Sequence, residues 1–134
     1  MFEVEFDLAK NAAKEAGKFL LKNTHKEKEI LSISGKDIKL MLDIQSEEII
    51  KNKITQNSTY PLLCEESGLI EGPQSSNALQ WIVDPLDGTF NYQNHIPFSC
   101  VSIALWKNNE PVSYTHLRAH ETDSYLVCRL LLEK

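Results

Sequence analysis

An α/β layered fold, with helices packed on a mostly antiparallel sheet, is predicted by three observations. Residues from about Phe6 to Asn23 carry apolar side chains at near-helical spacing. Phe98–Leu105 alternates Val101, Ile103 and Leu105 against Ser102 and Ala104, as a strand does. Two short apolar runs, Leu62–Cys64 and Trp81–Val83, lead directly into acidic residues.

The elements follow in order. In the first helix Leu8, Ala12, Ala16, Phe19 and Leu20 form the apolar face, and Lys10, Lys14, Lys18 and Lys22 the wet one. Ile30–Ile33 and Ile38–Leu42 flank Gly35, a turn signal, and read as two short strands. Asp43 is an expected N-cap for a second helix, Ile44 to about Thr55, with Ile44, Ile50 and Ile54 as core contacts. Tyr60-Pro61 ends that element, and the Leu62–Cys64 strand delivers Glu65 and Glu66. Ser67 to Gln80 holds Gly68, Gly72, Pro73, Ser75 and Ser76 and reads as a loop. Trp81–Val83 is a buried strand running into Asp84. Phe98–Leu105 is a further strand, Lys107 to Glu110 a turn, and Pro111-Val112 begins another strand.

Composition narrows the class. Hydrophobic content of 42% and charged content of 25% are ordinary for a globular protein. No run approaches the roughly 18 consecutive apolar residues of a membrane helix, and MFEVEFDLAK lacks the basic and apolar regions of a signal peptide. The net charge of −5 argues against a nucleic-acid binder. The three cysteines, Cys64, Cys100 and Cys128, match no zinc spacing and suggest reduced thiols in the cytoplasm. Cys64, Trp81 and Trp106 read as core residues, and His95 as a loop residue.

A composition change falls near Val112. Both arginines, Arg118 and Arg129, lie after it, and every lysine except Lys134 lies before it. Residues 113–134 read as a non-native tail, the alternative being a native C-terminal helix ending in LVCRLLLEK. No function is given to His116, His120, Asp123 or Cys128.

The chemistry is concentrated in WIVDPLDGTFNY. A buried strand delivers Asp84, Pro85 restricts the backbone, and Asp87 follows three residues later. Two carboxylates this close repel unless cations sit between them, and Mg²⁺ suits an all-oxygen site. Gly88 permits close backbone approach, and the following N–H groups and the Thr89 hydroxyl suit a phosphate. Asp-Pro-x-Asp-Gly alone is equally a turn. The ordered run from strand to Asn91, with a Glu pair upstream, favours a site. Phosphate monoester hydrolysis requires accelerations up to about 10²¹-fold. One positioned base supplies only about 10²–10⁴-fold, so clustered metals are expected to carry most of the catalysis.

WIVDPLDGTFNYQNHIPFSCVSIAL resembles the first metal-binding signature of the inositol monophosphatase family. CEES resembles its Glu-Glu motif, and KDIKLMLD the segment that delivers an Asp before the second helix. The resemblance spans roughly residues 5–112. It implies a sugar-phosphatase fold, incomplete at the C-terminus, and a Mg²⁺-dependent phosphomonoesterase acting on a small inositol or sugar phosphate. It implies that Glu65, Asp84, the Leu86 carbonyl and Asp87 hold metal. Gly88 and Thr89 would receive phosphate, and Glu65, Thr89 and Asp43 would orient the attacking water. Lys36 or Asp37 would lie near the phosphate. A homodimer is compatible with the full-length protein. Leu40 and Leu42 replace threonines common in the family, and Cys64 a glycine. The family's later Trp-Asp is absent, so residues 1–112 are expected to form the N-terminal part of the domain, with impaired or no activity alone. A 3′(2′),5′-bisphosphate nucleotidase shares the Asp-Pro-x-Asp-Gly-Thr core and is the second reading. A non-catalytic metal- or phosphate-binding fragment is the third.

Overall fold

One pair of parallel strands, in a sheet that is otherwise antiparallel, positions the acidic residues. The computed structural model describes residues 2–25, 30–34, 37–72, 79–96, 98–108, 110–118 and 126–129. It describes side chains for 2–25, 30, 40–72, 79–96 and 98–108.

Helix α1 spans Glu3–Lys22. Its buried face is built of small residues, Ala9, Ala12, Ala13, Ala16 and Gly17, with Leu20 at the end. Alanine costs least in a helix and lets a neighbour approach closely. Leu8 and Phe19 pack partly buried against the same core. Strands β1 (Ile30–Ser34) and β2 (Asp37–Leu40) form a separate antiparallel pair. Helix α2 spans Met41–Asn57. It starts earlier than expected, and Asp43 is not its N-cap. Leu40 holds that position with extended backbone, and Asp43 stands three residues in, accepting the Leu40 N–H at 2.7 Å. This is the reciprocal half of a capping box. Ile44 is 37% exposed and is not a core contact. The buried stripe runs instead through Leu42, Asp43, Ser46, Glu47, Ile50 and Ile54.

Strand β3 (Leu62–Cys64) turns through Gly68, at φ +75°, into β4 (Gly68–Ile70). Part of the expected loop is therefore strand, antiparallel to β3. Strand β5 (Leu79–Asp87) continues past Asp84, with a register irregularity between Asp84 and Asp87. The five-residue helix α3 (Thr89–Gln93) follows. Strand β6 is Cys100–Lys107, and Phe98, 67% exposed, lies before it. Strands β7 (Glu110–Arg118) and β8 (Leu126–Arg129) complete the sheet, whose order is β4-β3-β5-β6-β7-β8. The backbone of β7 runs through the composition change at Val112. His120 and Asp123 lie outside the described residues.

Alternation on the strands explains the core. Leu62 faces Trp81 and Trp81 faces Leu105; Cys64 faces Val83 and Val83 faces Ile103. All six are buried. Helix α1 packs on α2, β6 and β7, and α2 on β5. Trp81 is core, as expected, and burial pushes the Cys64 thiol up to about 12, which keeps it unreactive near neutral pH. No helix among the described residues is long and apolar enough to cross a membrane.

Tyr92, fully buried, donates its hydroxyl to the Leu20 carbonyl at 2.6 Å and joins α3 to the end of α1. Thr24 donates to the same carbonyl at 3.0 Å, so that acceptor keeps a partner when the phenol is removed. Tyr92→Phe is therefore expected to cost only about 1 kcal/mol. Urea unfolding checks it; a loss above about 3 kcal/mol would require a role beyond this bond.

Candidate metal and phosphate site

The site begins with a register. Cys64 of β3 pairs with Val83 of β5, in parallel, and the Glu65 N–H donates to the Val83 carbonyl at 3.1 Å. Both strands run the same way, so the next residues, Glu65 and Asp84, emerge side by side at one end of the sheet. Burial first, then the Glu65 hydrogen bond and charge, then the Asp87 charge, push Asp84 up to about 8. Glu65 and Asp87 themselves are exposed.

The Asp84–Asp87 segment is tied locally. Asp84 Oδ1 accepts the Leu86 N–H at 3.2 Å, a turn suited to Asp before a restricted Pro85 backbone. The Leu86 carbonyl accepts the Thr89 hydroxyl at 3.1 Å, and Asp43 Oδ1 stands 3.3 Å from the same hydroxyl. Thr89 has one proton to give, so these two acceptors share it. Asp43 is 2% exposed. Burial pushes it up to about 7; the Leu40 N–H opposes this, and the nearby charges of Glu66 and Glu65 add to it.

Gly88 has φ +87°, and a Cβ there would lie 2.6 Å from the Phe98 carbonyl oxygen. Only glycine suits both the left-handed backbone and this close approach. The Phe98 carbonyl is held by the Asn91 side-chain amide at 2.9 Å.

The structure thus brings Glu65, Asp84, Asp87, Asp43 and Thr89 into one electrostatic neighbourhood beside Leu86 and Gly88. Among the described residues, no three His, Cys, Asp or Glu side chains are already gathered around one point. Lys36 lies outside the described residues, and Asp37 begins β2. His95 is an exposed turn residue stacked on His25, ring centroids 5.9 Å apart. The donor chemistry suits a hard divalent cation: carboxylates and a carbonyl, with a mutual repulsion that a dication relieves, and Cys100 Sγ 3.9 Å from Asp87 Oδ2.

Two residues that sequence reasoning passed over support the site. Ser46 donates to the Pro85 carbonyl at 2.9 Å, and Glu47 Oε2 accepts the Glu66 N–H at 2.8 Å. A signal for them existed. Asp43, Ser46 and Glu47 continue the helical stripe of Ile50 and Ile54, which makes them polar residues on a core face.

A family model described as inositol monophosphatase family matches residues 3–113. Nus factor SuhB of Xylella fastidiosa is 37% identical over 103 residues, covering 75% of this chain and 36% of that protein. The fructose-1,6-bisphosphatase/inositol-1-monophosphatase of Aquifex aeolicus is 39% identical over 109 residues, covering 79% and 40%. Among solved structures, the extragenic suppressor protein suhB from Bartonella henselae superposes with a TM-score of 0.81 at 28% identity, covering 94% of this chain and 52% of that one. The chain spans about two fifths of the length of the curated relatives it matches.

Proposed function

The chain belongs to the inositol monophosphatase family, and on that premise we propose that it carries the cation- and phosphate-holding part of a Mg²⁺-dependent phosphomonoesterase. The proposed substrate is a small inositol or sugar phosphate. The observation that carries the reading is the parallel register of β3 and β5, which sets Glu65 beside Asp84 at paired strand ends, with Asp87 close enough to raise Asp84.

Glu65, Asp84, Asp87 and the Leu86 carbonyl would hold the metal. When bound, Mg²⁺ supplies Lewis-acid activation of water and neutralisation of charge on the leaving oxygen. The chain's own residues do the rest. Thr89 directs its hydroxyl between the Leu86 carbonyl and Asp43, and Asp43 fixes the direction in which that hydroxyl points. Gly88, left-handed and close against the Phe98 carbonyl, would turn the chain into Thr89 at the phosphate position. The exposed Glu65 and Asp87 side chains would be free to adjust around a bound cation.

The test is phosphate release by the whole protein from inositol 1-phosphate, fructose 1,6-bisphosphate and a 3′(2′),5′-bisphosphate nucleotide, with Mg²⁺ and with or without Li⁺. Release from inositol 1-phosphate that is Mg²⁺-dependent and Li⁺-sensitive is expected. Preference for the nucleotide selects the nucleotidase reading. No release from any of the three, by a protein that is folded, selects a non-catalytic binding role.

A further inference from the structure

Helix α2 presents two neighbouring polar side chains to the two segments that carry the carboxylates. Ser46 reaches the Pro85 carbonyl, inside the Asp84–Asp87 segment. Glu47 reaches the turn that begins with Glu65: its Oε2 accepts the Glu66 N–H and its Oε1 accepts the Ser67 hydroxyl. Ser46 is 0% and Glu47 1% exposed. A carboxyl buried this deeply is costly to keep unless its partners need it. On the same stripe the chain places isoleucines at 50 and 54, so an apolar residue would suit the packing.

We propose that Glu47 is a positioning residue, which fixes the Glu65–Ser67 turn against the Asp84–Asp87 segment and so sets the separation of the two carboxylates. This rests on the reading of Glu65 and Asp84 as cation ligands. The parallel ladder with β5 reaches as far as the Glu65 N–H, bonded to Val83, and the β3–β4 pairing of Cys64 with Gly68 closes the turn. Beyond it Glu47 ties the turn to α2, the helix that also packs on Asp84's own strand. The two Glu47 bonds restrain movement of that turn relative to α2. Glu47 acts through the turn and touches neither cation nor phosphate, as outer partners of metal ligands do.

Mn²⁺ binding to the chain, followed by electron paramagnetic resonance, and exchange of the Glu66 amide, followed by NMR, test this on the parent, E47Q and E47A. Glutamine can keep both bonds, its oxygen accepting from Glu66 and its amide donating to Ser67; alanine keeps neither. E47A is expected to bind Mn²⁺ roughly 10–100-fold more weakly and to exchange the Glu66 amide about tenfold faster or more, with E47Q within about threefold on both. Parent-like Mn²⁺ affinity in E47A, or E47Q as weak as E47A, overturns the proposal. If E47A does not fold, S67A removes one of the two bonds at an exposed residue. Weaker Mn²⁺ binding with faster Glu66 exchange is expected there, and parent-like values overturn the proposal. A parent that binds no Mn²⁺ while E47A still frees the Glu66 amide overturns it through its premise. Tight Mn²⁺ binding that E47A leaves untouched removes Glu47 alone.

Discussion

Asp84→Asn is expected to stabilise the metal-free chain and, in the same protein, to weaken its divalent-cation affinity severely. The two effects share one cause. Asp84 is pushed up to about 8 by burial, by Glu65 and by Asp87. The sign of the pH dependence follows. A carboxyl whose folded value lies above its unfolded value contributes stability that is complete below about pH 4 and is lost as pH rises toward the folded value. Asp84 sets a window from 3.8 to about 8, and Asp43, raised to about 7, one from 3.8 to about 7. In chelator the parent should therefore lose stability between pH 5 and pH 8, by on the order of 1–3 kcal/mol after allowance for partial exposure. Asparagine is neutral at every pH, keeps an acceptor for the Leu86 N–H and donates to Glu65, so it should flatten most of that slope. With Mg²⁺ present the order reverses, because only the parent gains from binding. Urea midpoints at pH 5, 6.5 and 8, in chelator and in Mg²⁺, measure both effects. Mn²⁺ affinity of the variant should fall by about 100-fold or more, at or beyond what losing an outer partner costs. A parent that becomes more stable from pH 5 to pH 8 in chelator would contradict the electrostatic account of the site.

Gly88→Ala should be the most damaging small substitution in the site. It places a side chain at φ +87° and its Cβ 2.6 Å from the Phe98 carbonyl oxygen, with Ser99 Cα at 3.3 Å. The carbonyl cannot retreat freely, since Asn91 holds it. The left-handed backbone alone costs about 1 kcal/mol for a non-glycine residue, and the collision adds to it. A total near 3 kcal/mol, or roughly 10 °C in Tm, is expected. Because Gly88 separates Asp87 from Thr89, any relief of the clash displaces one or both. Loss of the Thr89–Asp43 contact should accompany the loss of stability. A variant that melts with the parent and retains that contact would show that the Phe98 segment yields easily.

Much of this protein is legible without its structure, and the legible parts are local. The spacing of Ala12, Ala16 and Leu20 marks a buried helix face. The alternation in Val101–Leu105 marks a strand, and the order Asp84, Pro85, Asp87, Gly88, Thr89 marks a turn with chemistry in it. Each is a property of a few consecutive residues. Local preference also has limits. Asp favours an N-cap, yet β2 passes directly into α2 and Leu40 takes that position. Ile44 is apolar, yet the helix turns Ser46 and Glu47 inward instead.

What tertiary structure alone decided is which distant segments meet. Nothing in Leu62–Cys64 specifies that it pairs in parallel with Trp81–Val83 in the register that sets Glu65 beside Asp84. Nothing in α2 specifies that Ser46 and Glu47 close on two separate loops. The raised values of Asp84 and Asp43 follow from those meetings, since burial and like-charge contact exist only after the chain has folded. Helical and strand periods are set by backbone geometry within a segment, whereas register and burial are set by competition among all segments for one core.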